Sequence, residues 1–184
     1  TGGPKALQQV IPKLPENLDA AVVLVQHMPV GFTASLSARL DEMSEIRVRE
    51  AQDGEVLQKG TVYIAKGGSQ MRVIEKNRHE FVLSVREEGA RNGLKPCADI
   101  LYESLRESSF EDITCVIMTG MGADGTNGIK ALSRNHKNIY VIAQDEETSV
   151  VYGMPKAIAN TGLVNEVVPL NHVAEAITKN VGVS

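Results

Sequence analysis

The feature that most constrains the fold is a regular alternation of short apolar runs with longer segments that have a helical hydrophobic period. This alternation is typical of βαβ units, in which parallel strands form a sheet that helices cover on both faces. We therefore predict an α/β fold, a three-layer αβα sandwich with a mostly parallel, doubly wound sheet. The predicted strand and helix pairs lie at 20–25 and 32–43, 113–118 and 123–135, 139–143 and 155–160, and 164–168 and 173–179.

The middle of the chain departs from this rhythm. Three apolar runs, at 61–65, 70–75 and 80–85, follow one another with only short turns between them. Short connections suit antiparallel neighbours, so we predict an antiparallel hairpin region at one edge of the sheet.

The start of the chain also differs from a complete βαβ pattern, because a helical pattern at 5–14 has no strand before it. We expect one domain over 1–184 whose first strand lies upstream of Thr1.

Composition excludes several classes of partner. The 184 residues carry a formal net charge of −4 with both signs mixed, which gives no basic face for nucleic acid. The longest strongly apolar stretch, 20–25, is far shorter than a membrane span. Two cysteines, Cys97 and Cys115, supply neither a disulfide framework nor a metal cluster, a pattern that suits a reducing compartment. We expect a cytoplasmic protein that needs no metal and no cofactor and does not insert into membranes.

Ligands of open α/β sheets bind beyond the carboxyl ends of the strands, so the turns that follow strands are the first candidates for a site. Gly2 and Gly3 precede a helix and can leave amide N–H groups free to bind an oxyanion, although a plain helix start is the simpler explanation of the glycines taken alone. His27 follows the most apolar run and can serve as a general base or as a hydrogen-bonded structural histidine. The other histidines are interpreted as solvated: His79, His136 and His172.

The run from Thr119 to Gly125 is the densest signal and has two incompatible functional interpretations. From Gly120 to Gly125 it matches G-x-G-x-x-G, and Asp145 ends the next predicted strand, as in dinucleotide-binding folds. However, Asp124 would then place a carboxylate where the pyrophosphate must bind. If Asp124 instead faces His27, it can orient the imidazole and stabilise its protonated form. A third possibility is that Asp124 caps the helix that follows.

Several short motifs occur in order along nearly the whole chain. They are Thr1-Gly2-Gly3-Pro4, Gln26-His27-Met28-Pro29, Tyr63-Ile64-Ala65, Met118-Thr119-Gly120-Met121-Gly122-Ala123-Asp124-Gly125 and Gly153-Met154-Pro155. This ordered set resembles the catalytic domain of CheB, the bacterial chemotaxis protein-glutamate methylesterase family. One departure is Lys66-Gly67-Gly68, because the family usually has Pro-Gly-Gly there, and we expect a looser loop in consequence.

The resemblance implies a set of site residues. The family opens its catalytic domain with G-x-S-T-G-G-P, in which the serine is the nucleophile. Thr1 matches the residue after that serine, so we expect the serine directly upstream and disfavour Thr1 itself as the nucleophile. By the same matching, His27 is the general base and Asp124 its orienting partner. The backbone amides of Thr1 and Met121 are expected to contribute to the oxyanion hole.

The resemblance also implies an activity and partners. It implies a serine hydrolase that removes methyl groups from glutamate γ-methyl esters on methyl-accepting chemoreceptors and deamidates glutamine at such positions. An N-terminal receiver domain, phosphorylated by the chemotaxis histidine kinase, would regulate it. Two alternatives stay open: a NAD-binding oxidoreductase domain that uses Gly120 to Gly125 with Asp145, and a non-catalytic interaction domain of the same fold.

Overall fold

The computed structural model describes residues 2–135 and 137–184. Its strands are β1 (Val22–Leu24), β2 (Arg47–Glu50), β3 (Thr61–Ile64), β4 (Gln70–Asn77), β5 (Glu80–Arg86), β6 (Asp112–Ile117), β7 (Asn138–Gln144) and β8 (Glu166–Val168). Its α-helices are α1 (Gly3–Val10), α2 (Phe32–Met43), α3 (Ala98–Ser104), α4 (Thr126–Arg134), α5 (Met154–Ala159) and α6 (Val173–Val181).

Six of the strands form two parallel three-stranded sheets. In the first, β3 lies between β1 and β2, and in the second, β7 lies between β6 and β8. The register pairs Val23 with Tyr63 in the first sheet and Val116 with Ile142 in the second. The prediction of a mostly parallel α/β fold is confirmed, with predicted strand ends that differ from the observed ones by a few residues.

Two apolar layers cover these sheets, one on each face. Successive side chains of a strand point to opposite faces, so Ile64 belongs to one layer and Tyr63 to the other. The first layer packs α1, α2 and α6 against the strands, and the second packs α3, α4 and α5 against them. Each layer contains residues of β1, β3, β6 and β7, so each extends across both parallel sheets. The predicted three-layer arrangement is therefore confirmed.

The middle of the chain contains both a confirmed and a wrong prediction. The antiparallel hairpin exists, with β4 paired to β5 in a sheet of its own. The assignment of 61–65 to the antiparallel region is wrong, because β3 is the central strand of a parallel sheet and all four of its residues are buried. Its neighbour β2 escaped prediction because this edge strand buries only Val48 among charged residues. The short helix α3 was also not predicted.

The loops that follow β1 and β7 meet the start of α1 at one end of the parallel sheets. Val150 lies in the loop after β7, and a Cβ at Gly2 would approach its side chain to 2.8 Å. A Cβ at Gly3 would come within 2.5 Å of the amide of Gln26, which follows β1. The two glycines therefore allow α1 to start directly against the neighbouring loops. Among the described helices, none combines the length and the apolar character that a membrane crossing requires.

Candidate active site

The structure brings His27 and Asp124 together at the carboxyl end of the parallel strands. His27 lies in the extended segment after β1, and Asp124 lies in the loop between β6 and α4. The His27 Nε2 and Asp124 Oδ2 atoms are 2.7 Å apart. The histidine side chain is 25% exposed and the aspartate side chain only 2%, so the imidazole stands between solvent and a buried carboxylate. The predicted contact between these residues is present.

Asp124 is held by hydrogen bonds on both carboxylate oxygens. The backbone N–H of Ala98 donates to Oδ2 at 2.7 Å, and the backbone N–H of Asp99 donates to Oδ1 at 2.9 Å. The Cys97 thiol donates to Oδ1, with Sγ 3.2 Å away. The carboxylate therefore binds the start of α3. The helix that follows it, α4, has Gly125 as its N-cap and no side-chain cap, so Asp124 is not the cap of α4.

These contacts determine the protonation states around the carboxylate. Burial alone would raise the pKa of Asp124, but the hydrogen bonds from His27, Ala98, Asp99 and Cys97 outweigh it and lower the pKa to about 2. Burial raises the pKa of the Cys97 thiol to about 11, and the nearby Asp124 charge adds to the effect. At neutral pH the thiol is protonated and can donate, and the carboxylate is ionised and can only accept.

The ionised carboxylate also fixes the tautomer of His27. Because Asp124 can only accept, the Nε2 atom of the neutral imidazole must carry the hydrogen, which leaves Nδ1 with a free lone pair. In the serine-protease triad the aspartate binds Nδ1 and the base is Nε2, so the two ring nitrogens exchange roles here. The basic nitrogen of this site is Nδ1.

The other predicted site segments surround this pair. Gly3 packs against Gln26, the residue before His27, so the glycine turn and the histidine turn are adjacent. Met121 lies in the loop before Asp124 and is 82% exposed. Thr1, predicted to supply an oxyanion N–H, and His136, predicted to be solvated, lie outside the described residues. The predictions for His79 and His172 are confirmed, because both are exposed.

The loop at 66–68 supports the turn that follows His27. The Gly67 N–H donates to Thr33 Oγ1 at 2.9 Å, and a Cβ at Gly67 would lie 2.5 Å from the Pro29 carbonyl oxygen. Gly68 has a φ of +83° and contacts Val30. With lysine at position 66, the two glycines still lie in close contact with the turn. The expectation of a looser loop is therefore wrong.

An open pocket lies beside His27. Its volume is about 260 Å³, and it is formed by two segments, one on the His27 turn and one before α3. The lining residues are His27, Met28, Pro29, Gly93, Leu94, Lys95 and Pro96. Large apolar side chains are exposed around the same end of the sheets, namely Val30, Met121 and Val150 on loops and Phe32 at the start of α2. The site therefore has an open pocket and an apolar rim formed by these four side chains.

Comparison with known proteins decides the family. A family model described as CheB methylesterase matches residues 1–177. The chain belongs to the CheB methylesterase family. A crystal structure of the Thermotoga maritima CheB methylesterase catalytic domain superimposes with a TM-score of 0.91 at 38% identity, covering 98% of this chain and 94% of that one.

Curated members of the CheB family are similar over the same region. The protein-glutamate methylesterase/protein-glutamine glutaminase of Bacillus subtilis is 49% identical over 97% of this chain. Protein-glutamate methylesterase/protein-glutamine glutaminase 1 of Syntrophomonas wolfei is 45% identical over 96% of this chain. These alignments cover 49% and 51% of the two relatives, so the chain spans about half the length of the curated relatives it matches.

In this CheB-family fold, the glycine-rich run does not form a nucleotide site. The N–H groups of Gly125 and Gly128, at the start of α4, donate to Asp99 Oδ1 at 2.9 and 2.8 Å, so a side chain occupies the donors that a pyrophosphate would use. Asp145 accepts from the Thr148 N–H at 3.0 Å within its own turn. The dinucleotide interpretation is therefore not supported.

Two residues of the CheB-family site were missed by sequence reasoning. Neither Cys97 nor Asp99 was assigned a role in the site from the sequence, although both contact Asp124. With Asp124 they form the one described cluster with metal-ligand proximity. The Asp124 oxygens and Asp99 Oδ1 already accept hydrogen bonds from N–H and S–H groups. Hydrogen bonding therefore explains why these side chains lie so close together. In the sequence, these two residues form a Cys-x-Asp run at the start of a helix. This run indicates no function unless Asp124 is known to lie beside it.

Proposed function

We propose that the chain is the catalytic domain of a protein-glutamate methylesterase that hydrolyses glutamate γ-methyl esters on chemoreceptors and deamidates glutamine there. The observation that carries the proposal is the 2.7 Å contact of His27 Nε2 with the buried, ionised Asp124, which leaves Nδ1 as a base at the strand ends. The names of the curated relatives support the same pair of activities.

The nucleophile is a serine directly before Thr1, at the end of a strand between β1 and β6. Two features support this strand. Within the described residues β1 pairs with β3 and β6 pairs with β7, so the facing edges of β1 and β6 are both available. In addition, the apolar layers continue from β1 to β6, and every residue of β1 is only partly buried despite its apolar sequence. A parallel strand there would complete one sheet and end beside His27.

The mechanism follows from the roles of the two ring nitrogens. Nδ1 of His27 accepts the serine proton as the serine oxygen attacks the ester carbonyl, and Asp124 stabilises the imidazolium that results. The imidazolium then returns the proton to the leaving methoxy group, which departs as methanol. Water attacks the acyl-enzyme while Nδ1 accepts its proton, and the same proton finally restores the serine hydroxyl. The backbone amides of Thr1 and Met121 bind the oxyanion in both steps.

The partners follow from the same proposal. Chemoreceptor helices present the substrate glutamates, and the open pocket and apolar rim beside His27 leave room for such a surface. Receptor substrates of this kind place the protein in the cytoplasm. The relatives are about twice as long as the chain, which leaves room for an N-terminal receiver domain that a histidine kinase phosphorylates. Removing that domain should raise the basal rate, because it would cover the site.

Methanol release from methylated receptors tests the function. A protein that extends upstream to include the serine should release methanol, and its Ser→Ala variant and the 184-residue chain should not. The alanine variant is the matched control, because it keeps the added strand and removes only the hydroxyl. Equal methanol release by the alanine variant would refute the assigned nucleophile, and no release by the serine protein would refute the function.

A further inference from the structure

A second buried carboxylate lies behind the His27–Asp124 pair, and the mechanism above gives it no role. Asp99 lies in the first turn of α3 and is 4% exposed. Its Oδ1 atom accepts two backbone hydrogen bonds, from Gly125 N–H at 2.9 Å and from Gly128 N–H at 2.8 Å. Both donors belong to the start of α4, directly after Asp124. The side chain therefore binds a different helix from the one that carries it.

The contacts of Asp99 and Asp124 are reciprocal. Asp124 precedes α4 and accepts N–H groups at the start of α3, those of Ala98 and Asp99. Asp99 belongs to α3 and accepts N–H groups at the start of α4. We propose that Asp99 is a positioning residue for catalysis, which holds the backbone that follows Asp124 so that Asp124 Oδ2 faces His27. This inference rests on the proposed function.

The packing of the two helices explains why the position is sensitive. A Cβ at Gly128 would lie 2.6 Å from Tyr102 Cβ and 3.1 Å from the Asp99 Cα atom, so α3 and α4 are in backbone contact. Gly125 has a φ of +97°, and a Cβ there would lie 2.8 Å from Ile117 Cδ1. The turn between Asp124 and α4 is thus confined on both sides. It keeps its position only while its inward N–H groups have an acceptor.

The role requires an acceptor oxygen more than a charge. Burial raises the pKa of Asp99, whereas the hydrogen bonds to Asp124 lower the pKa of that residue to about 2, so the two carboxyl groups have different environments. The same Oδ1 atom accepts both bonds of Asp99, and an asparagine Oδ1 can accept them too. Asparagine should therefore preserve the position, and alanine should release it.

The experiment uses the protein that includes the serine, with Asp99→Ala, Asp99→Asn, and Asp41→Asn as the control. Asp41 also accepts a backbone N–H, that of Val48 at 2.9 Å, but lies on α2 away from the site. Displacements of about 1 Å in an active site can cost up to about 10²-fold in rate. We expect Asp99→Ala to lower kcat at least about tenfold with KM within about twofold. Asp99→Asn and Asp41→Asn should stay within about threefold of the parent rate.

A second measurement separates positioning from mere stability. The His27 Nε2 proton in its short bond to Asp124 should give a strongly downfield NMR resonance in the parent. The resonance should persist in Asp99→Asn and in Asp41→Asn, and shift upfield or disappear in Asp99→Ala. If Asp99→Ala does not fold, Asp99→Ser, whose hydroxyl can accept one of the bonds, takes its place.

The outcomes are distinguishable from failure of the proposed function. Methanol release by the parent tests the function alone, and the NMR signal needs no activity. Asp99→Ala or its serine substitute with parental kcat and an intact resonance would overturn the positioning role. An asparagine variant as impaired as the alanine variant would also overturn it, because the acceptor oxygen would then be insufficient.

Discussion

The two members of the site are held very differently. Asp124 is 2% exposed in its side chain and accepts hydrogen bonds from His27, the Cys97 thiol and two backbone N–H groups. Within the described residues, the His27 ring makes one hydrogen bond, to Asp124, and the side chain is 25% exposed. The carboxylate is thus preorganised, whereas the imidazole is held by this one hydrogen bond and is partly open to solvent. The fixed charge lowers the cost of reorganisation when the imidazolium forms.

Removing the imidazole of His27 should have the largest effect on kcat and a small effect on the free energy of unfolding. In the protein that includes the serine, His27→Gln should lower kcat by on the order of 10⁴ or more, because the proposed general base is lost. Unfolding free energy should change by less than about 1 kcal/mol, because the side chain is partly exposed and the glutamine amide can still donate a hydrogen bond to Asp124. Methanol release and urea unfolding provide the two measurements. His172→Gln, at an exposed histidine, is the control. A His27→Gln rate within about tenfold of the parent would exclude His27 as the base.

Replacing the buried Asp124 should lower both kcat and the free energy of unfolding. Asp124→Asn should lower kcat by on the order of 10² or more, because an amide can neither stabilise the imidazolium nor hold the correct tautomer. It should also lower the unfolding free energy by about 2–3 kcal/mol, since its NH₂ group would face donors that now bind a carboxylate oxygen. Asp41→Asn controls for the loss of a charged acceptor elsewhere. A stable Asp124→Asn variant with near-parental kcat would show that neither catalysis nor folding requires the Asp124 carboxylate.

Protonation of Asp124 should lower the free energy of unfolding over a defined range of pH. The pKa of Asp124 falls from the ordinary value of 3.8 to about 2, so the folded state binds this proton less tightly than the unfolded state. The resulting stability of about 2 kcal/mol is fully present above about pH 4 and is lost as the pH falls through about 2. Urea unfolding at several pH values should show this loss in the parent and not in Asp124→Asn. Burial raises the pKa of Asp99, which acts in the opposite direction in both proteins, and the shift is smaller in Asp124→Asn because the Asp124 charge is one of its causes. Parallel stability curves for the two proteins would contradict the assigned shift.

The sequence predicts those parts of the fold that have a strong periodic signal. The parallel strands β1, β6 and β7 and the helix α2 were predicted because each has a clear apolar pattern bounded by turn residues. The edge strand β2 buries only Val48, and α3 is seven residues long, so neither has a period that can be recognised. The β3 strand was assigned to the antiparallel region because pairing partners depend on long-range packing, which short connections do not reveal.

The site residues likewise fall into two groups, those with a recognisable sequence pattern and those without one. His27 and Asp124 were predicted because each follows a recognisable strand and belongs to an ordered motif, although the sequence did not reveal which ring nitrogen faces the carboxylate. Cys97 and Asp99 could not be predicted, because their role exists only where α3 and α4 meet. That contact joins residues separated by about 25 positions in the chain. A cysteine before an unrecognised helix carries no local signal of this contact.

The smallest effect should come from the weakest donor to the fixed carboxylate. Cys97→Ala removes the thiol that donates to Asp124 Oδ1 at 3.2 Å but leaves both backbone N–H donors, so kcat should fall by only about twofold to threefold. Cys97→Ser restores a hydroxyl donor and should recover the parental rate. Cys115→Ala, at the other buried cysteine, controls for lost packing. Methanol release by the three variants provides the measurement. A loss as large as that of Asp124→Asn would show that the thiol, and not the start of α3, holds the carboxylate.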